Sequence, residues 1–377
     1  MIIRSKRLKG IGSLVVENRL SRRQFIVTSS GSVISASAFL TGLSGCSPSS
    51  DEEAAEPAPK PEAAEQAPEP ELQSKITRIK MGTIGCRDLA STEDWYNNWI
   101  GYTVVERGEI SADLAGSWGT PNMAGRAYFL MQPESGADVF IRAVETDGVD
   151  GYSAMTTFGW NSFEIIIEDV YALNERLLKS PFEIIGGPEP IFPESTIHAM
   201  QVIGPSQEVL YLTQETDPEA TMLPDPGSFV DRPFIMVLAC PDVGAIVDFY
   251  QSKFGVPGGG GSGDGASIGI IARAQGLAED HKFQMGFMRL ADHGHSIEID
   301  GYPDSASSRP QAEGQLPPGN AMCSFNVNDL DEFDVDFISA PVRDSSLAYG
   351  GHRSATFVGP AGELTELIEQ PREHIAT

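Results

Sequence analysis

The chain has 377 residues, with 26 Lys and Arg against 53 Asp and Glu and a formal net charge of −27. That balance excludes the clustered basic surface that a nucleic-acid partner needs, and disfavours direct attraction to an anionic membrane surface. The length suits about two to three ordinary domains, and four cysteines cannot make a disulfide scaffold, so stability must come from apolar cores.

The charge is uneven along the chain. Residues 1–45 hold seven basic side chains and one acid, Glu17, leaving 19 basic and 52 acidic side chains beyond them. Arg22 and Arg23 stand directly before Gln24-Phe25-Ile26, and an uncharged run from Val27 to Leu43 follows. This pattern resembles a twin-arginine export signal, and Leu43-Ser44-Gly45-Cys46 resembles a lipobox. Residues 1–45 are therefore expected to be a signal peptide handed to the twin-arginine export machinery, with Cys46 lipidated as the first mature residue. The run is short and Ser/Gly-rich for a bilayer core of ~30 Å. Ser47 after Cys46 implies an exported protein that is lipid-anchored at the outer membrane and faces the periplasm.

From 46 to 74 the chain is acidic and rich in Pro, Ala and Glu; Ser47 to Ser74 holds eight acids, one Lys and six Pro. Such a segment cannot bury a core, and proline with like-charge repulsion makes it a semi-extended tether. Folded in a reducing compartment, Cys86, Cys240 and Cys323 are expected as small buried hydrophobes.

Past Lys75 the chain repeats. Cys86-Arg87-Asp88 leads through Asp94-Trp95-Tyr96 to Gly101, and Cys240-Pro241-Asp242 leads through Asp248-Phe249-Tyr250 to Gly255 at identical spacing. This predicts a strand, an Asp capping a helix, an aromatic pair packing that helix on a sheet, and a glycine turn. A second repeat runs from Phe163–Asp169 into Leu173 and Leu177, matched by Ser324–Asp329 into Leu330 and Phe333. Each is followed by a Gly-Pro turn and a closing strand, Gly204-Pro205 into Val209–Thr213 and Gly359-Pro360 into Leu364–Ile368.

The fourfold pattern resembles the vicinal oxygen chelate superfamily, which includes glyoxalase I, extradiol dioxygenases and bleomycin resistance proteins. The resemblance covers Ile76 to Gln370. It implies an α+β fold of four βαβββ modules in two tandem domains, 75–215 and 230–377, joined by a linker at 216–229, each with a curled mixed sheet around a cup. It also implies a divalent metal held by side chains on first and last strands. Seven residues before each capping Asp, the first-strand positions are Met81, Ser162, Ile235 and Met322, none an ordinary ligand. The last-strand positions read as Glu145, Tyr211, Glu298 and Glu366.

No cofactor is predicted. A divalent metal would have only carboxylates such as Glu298 and Glu366, and would lack its first-strand ligands. If those two share one cavity, repulsion raises one pKa and supplies a metal-free acid and base, making them the candidate catalytic pair. The ligand pocket is expected to involve Met81, Glu145, Trp160, Ser162, Tyr211, Ile235 and Met322. Val256–Gly265, rich in Gly, lacks a Gly-Lys-Ser/Thr signature and reads as a mobile loop that could gate the second cup. The leading expectation is a small organic molecule bound without the usual metal site. An enzyme acting through the second domain's carboxylates, or a structural protein with degenerate cups, are the alternatives.

Overall fold

A computed structural model of the chain describes residues 73–371. The expected signal peptide, Arg22, Arg23, Cys46 and nearly all of the tether lie outside them. Module 1 comprises β1 (Ile76–Cys86), α1 (Leu89–Trp95), β2 (Thr103–Glu109), α2 (Ala112–Ser117), β3 (Ala127–Gln132) and β4 (Phe140–Glu145). Module 2 comprises β5 (Gly159–Ile167), α3 (Val170–Leu177), β6 (Glu183–Pro190), β7 (Ile197–Ile203) and β8 (Val209–Glu215). Module 3 comprises β9 (Val230–Cys240), α4 (Val243–Phe254), β10 (Gly258–Gly260), β11 (Ala266–Ser267), α5 (Gly269–Ala274), β12 (Lys282–Phe283), β13 (Met285–Arg289) and β14 (Ser296–Gly301). Module 4 comprises β15 (Gly319–Val327), β16 (Val342–Arg343), β17 (Arg353–Val358) and β18 (Leu364–Glu369).

The capping aspartates do in each module what their spacing predicts. Asp88 accepts from the Ser91 N–H, Asp169 from Tyr171 and Ala172, Asp242 from Ala245, and Asp329 from Asp331. A cap of this kind is worth about 1 kcal/mol. Gly101 and Gly255 end their helical segments in the left-handed region at φ 76° and 65°. Module 4 departs from expectation, because its helix shrinks to one 3₁₀ turn at Leu330–Glu332. The reason is visible in Phe333, Val335 and Phe337, apolar at a period of two and half-buried against the core, which favours extended chain.

The modules do not pair in chain order. In one eight-stranded sheet the order is β16-β17-β18-β15-β1-β4-β3-β2, joining modules 1 and 4; in the other it is β10-β13-β14-β9-β5-β8-β7-β6, joining modules 2 and 3. Each module places its last strand parallel to its first, and first strands meet antiparallel, β1 on β15 and β5 on β9. The sheets therefore unite the first module with the last, where sequential pairing across a 216–229 joint was expected. A first strand exposes one edge that any other first strand can cover, so local sequence does not choose its partner.

A large core, containing Ile79, Phe129, Phe163, Leu238, Phe325 and Leu367, lies between the two sheets. Their opposite faces form the two cups, with separate apolar clusters. Cys86, Cys240 and Cys323 are free and buried in the shared core, as expected. Two matching hydrogen-bonded locks tie the sheets together. Tyr96, directly after α1, donates to Glu208 Oε1 at 3.1 Å, and Tyr250 of α4 donates to Glu363 Oε1 at 3.3 Å. Each carboxylate also folds back on its own Gly-Pro turn, accepting from Ser206 N or Ala361 N at 2.8 Å. Only glycine allows this, since a Cβ on Gly204 or Gly359 would stand 2.0 or 1.8 Å from that carboxylate.

Candidate functional site: two unlike cups

Strand register defines equivalent positions in the two cups. Thr83 pairs with Arg142, Glu164 with Tyr211, Val237 with Glu298, and Ser324 with Glu366. The last-strand positions are thus Arg142, Tyr211, Glu298 and Glu366. Glu145 was expected at the first of these; it lies opposite Cys86, three residues further on, and its odd position turns it to the other side of β4. The length of the loop between β3 and β4 hid that shift.

The cup of modules 1 and 4 is filled by its own side chains. Met81, Met322, Leu130, Phe140, Leu316 and Ile368 are buried in its apolar cluster. At its centre the Arg142 guanidinium donates to Thr83 Oγ1 at 3.1 and 3.0 Å and to Tyr349 Oη at 2.6 Å, and stacks 4.5 Å from the Trp118 ring centroid. Glu366, fully buried, accepts from Trp118 Nε1 at 2.9 Å, Tyr349 Oη at 2.9 Å and Ser324 Oγ at 2.6 Å, with Arg142 3.8 Å away. Burial alone would depress the Arg142 guanidinium, but Tyr349 and Glu366 outweigh it, and its pKa lies above the ordinary value. Removing one member of a buried ion pair typically costs about 3–5 kcal/mol, because the other is left uncompensated.

The cup of modules 2 and 3 is different. Ser162, Glu164, Tyr211, Ile235, Glu298 and Asp300 alternate onto one face of β5, β8, β9 and β14. Ile235, Val237, Phe283 and Ile271 supply apolar wall, the last from α5, which covers the cup. Burial first, then the Glu298 carboxylate, push Glu164 up to about 8, despite the 2.6 Å hydrogen bond it accepts from Thr213. The Tyr211 phenol is held well above its ordinary pKa by burial and by Asp300, Tyr302, Glu298 and Glu164. Ser162 Oγ, Tyr211 Oη and Tyr302 Oη are buried without a hydrogen-bond partner among the described residues. Glu298 is only partly buried, so this face is not sealed. A carboxyl protonated near neutral pH beside a second carboxylate can both give and take protons.

Of the expected pocket residues, the structure brings Ser162, Tyr211 and Ile235 together in this second cup, beside Glu298 of the expected catalytic pair. Met81 and Met322 belong to the filled cup, and Trp160 is not in a cup. Its ring is packed between the sheets against Phe325, with Nε1 donating to Leu364 O at 2.8 Å. Glu298 and Glu366, expected as one catalytic pair, sit in different sheets and different cups. The run at Val256–Gly265 is not simply a loop, because Gly258–Gly260 is the edge strand β10 on β13. Its glycines permit close backbone contact; a Cβ on Gly260 would stand 2.3 Å from Gly286 Cα. Glu164 and Arg142 escaped the sequence search. A count of five residues before the capping Asp finds Glu164, and pairing with that position finds Arg142.

The four expected metal positions are Met81, Met322, Arg142 and Glu366 in one cup and Ser162, Ile235, Tyr211 and Glu298 in the other, with one carboxylate in each set, and Glu164 and Asp300 add two more to the face of the second cup. Among the described residues no group of three or more His, Cys, Asp and Glu has metal-holding geometry.

No protein-family model matches the chain, and no curated protein matches it either. Solved structures do. Glyoxalase I from Zea mays shares 16% identity with a TM-score of 0.51, over 78% of this chain and 92% of that one. A protein from Bacillus subtilis named as a candidate dioxygenase shares 14% identity with a TM-score of 0.51, over 79% of this chain and 87% of that one. At such identities the likeness is one of fold, and the fold is that of the glyoxalase and dioxygenase proteins: tandem modules with curled mixed sheets.

Proposed function

We propose that this chain is an exported, lipid-anchored binding protein of glyoxalase-like fold that takes a small, partly apolar organic molecule into the cup of modules 2 and 3, without a metal. The twin arginines, the lipobox at Cys46 and the acidic tether support the export and anchoring. The observation that carries the binding is the polar face of this cup. Ser162 Oγ and Tyr211 Oη are buried there without partners among the described residues, a state that costs about 1–3 kcal/mol per group unless something completes the hydrogen bonds. The other cup satisfies its charged centre with its own Arg142, Tyr349 and Trp118 and serves as structure.

Native mass spectrometry of the protein from its own membrane fraction tests this. A retained small-molecule adduct and no stoichiometric metal are expected, with Cys46→Ala protein released from the membrane. Protein that carries a metal, or that shows neither an adduct nor saturable binding across a fragment library, would overturn the proposal.

A further inference from the structure

The two cups are built on one plan, so the filled cup serves as an internal template for the other. In the first, the centre of the face is occupied by a nitrogen cation that the chain itself supplies. Arg142 is cradled by Thr83 Oγ1 and Tyr349 Oη, backed by Glu366 and stacked on Trp118. In the second, the acidic half of that arrangement is retained and enlarged. Glu298 stands at the register of Glu366, Glu164 replaces Thr83, and Asp300 follows two residues along β14. At the position of Arg142 stands Tyr211, which brings a phenol in place of a cation.

Tyr211 gives an independent sign of a missing guest. It is 7% exposed, its hydroxyl has no hydrogen-bond partner among the described residues, and it lies among Glu164, Glu298, Asp300 and Tyr302, whose charges oppose its ionisation.

We infer that the second cup binds a small organic cation, an amine or guanidinium compound with an apolar body, its nitrogen placed among Glu164, Glu298 and Tyr211 and its body against Ile235, Val237 and Phe283. The inference rests on the binding function proposed above and names its ligand class. A charge-assisted hydrogen bond to a carboxylate is about twice as strong as a neutral one, so charge should dominate selectivity.

Titration calorimetry on the full chain with benzylamine, benzylguanidine, benzyl alcohol and benzoate tests this at constant ring size. Both cations are expected to bind at least tenfold more tightly than the alcohol or the benzoate. Glu298→Gln, at a partly buried position, should weaken the cations tenfold or more and leave the alcohol unchanged, and Glu164→Gln should act in the same direction. Equal binding of benzyl alcohol and benzylamine, or cation binding indifferent to both substitutions, would overturn the ligand class while leaving the binding function standing. Binding of no member of the panel would remove both. Stoichiometric zinc or magnesium binding abolished by Glu298→Gln would replace the organic cation with a metal.

Discussion

At the scale of single residues, the cup of modules 2 and 3 makes its most direct statement through Glu164. Its folded pKa of about 8 lies above the unfolded carboxyl value, so between roughly pH 4.5 and pH 8 the folded state holds a proton that the unfolded state has lost. The sign follows: Glu164 costs no stability below that window and progressively lowers stability as pH rises through it. Burial first, and then Glu298 on β14, raise this value, while the hydrogen bond from Thr213 on β8 lowers it. Glu164→Gln should therefore lose less stability than the parent between pH 5 and pH 8.5, by no more than about 5 kcal/mol, the full value of such a shift. Urea midpoints at the two pH values measure it. A residual slope is expected in both proteins from Glu208 and Glu363, which burial pushes up to about 7. Equal slopes in parent and variant would show that Glu164 ionises freely.

At the scale of elements, much was legible because the signals are local. Asp88, Asp169, Asp242 and Asp329 cap what their spacing said they would cap, since a cap involves only the next two or three residues. The registers of Tyr211 and Glu366 followed from their Gly-Pro turns, whereas Glu145 and Glu298 were both placed across loops of unmarked length, and the loop before β4 put Glu145 three residues out of register. The Gly-Pro turns were recognised as repeats, yet their purpose needed distant partners: Tyr96 and Tyr250 lie more than a hundred residues from Glu208 and Glu363. That purpose is testable. Gly359→Ala should expel the Glu363 carboxylate from its turn and leave Ala361 N–H and Tyr250 Oη without their acceptor, lowering stability by about 2–4 kcal/mol. Tyr250→Phe alone should cost about 1 kcal/mol, and the double variant should cost clearly less than the sum, since both break one lock. Strict additivity in denaturant melts would separate the glycine from the lock.

At the scale of the whole molecule, the missing information was which first strand meets which. The fourfold repeat establishes that four modules exist, but every first strand carries the same kind of apolar edge, and chain proximity suggested pairing neighbours. The structure pairs the outer two modules and the inner two, so that β1 of the first module depends on β15 from the last. This nesting has a consequence for dissection. Cutting between residues 215 and 216 separates β1 from β15 and β5 from β9, leaving each half with two open first-strand edges and half of each cup. Each half expressed alone should therefore aggregate or associate with copies of itself through those edges. Mixed together from denaturant, the two halves should recover one 1:1 complex, with amide-exchange protection restored along β1, β5, β9 and β15. Two halves that each fold as stable monomers, protected along their own first strands, would instead support sequential domains. Because the second cup is shared by β5 to β8 from one half and β9 to β14 from the other, small-molecule binding should return only with the reassembled complex.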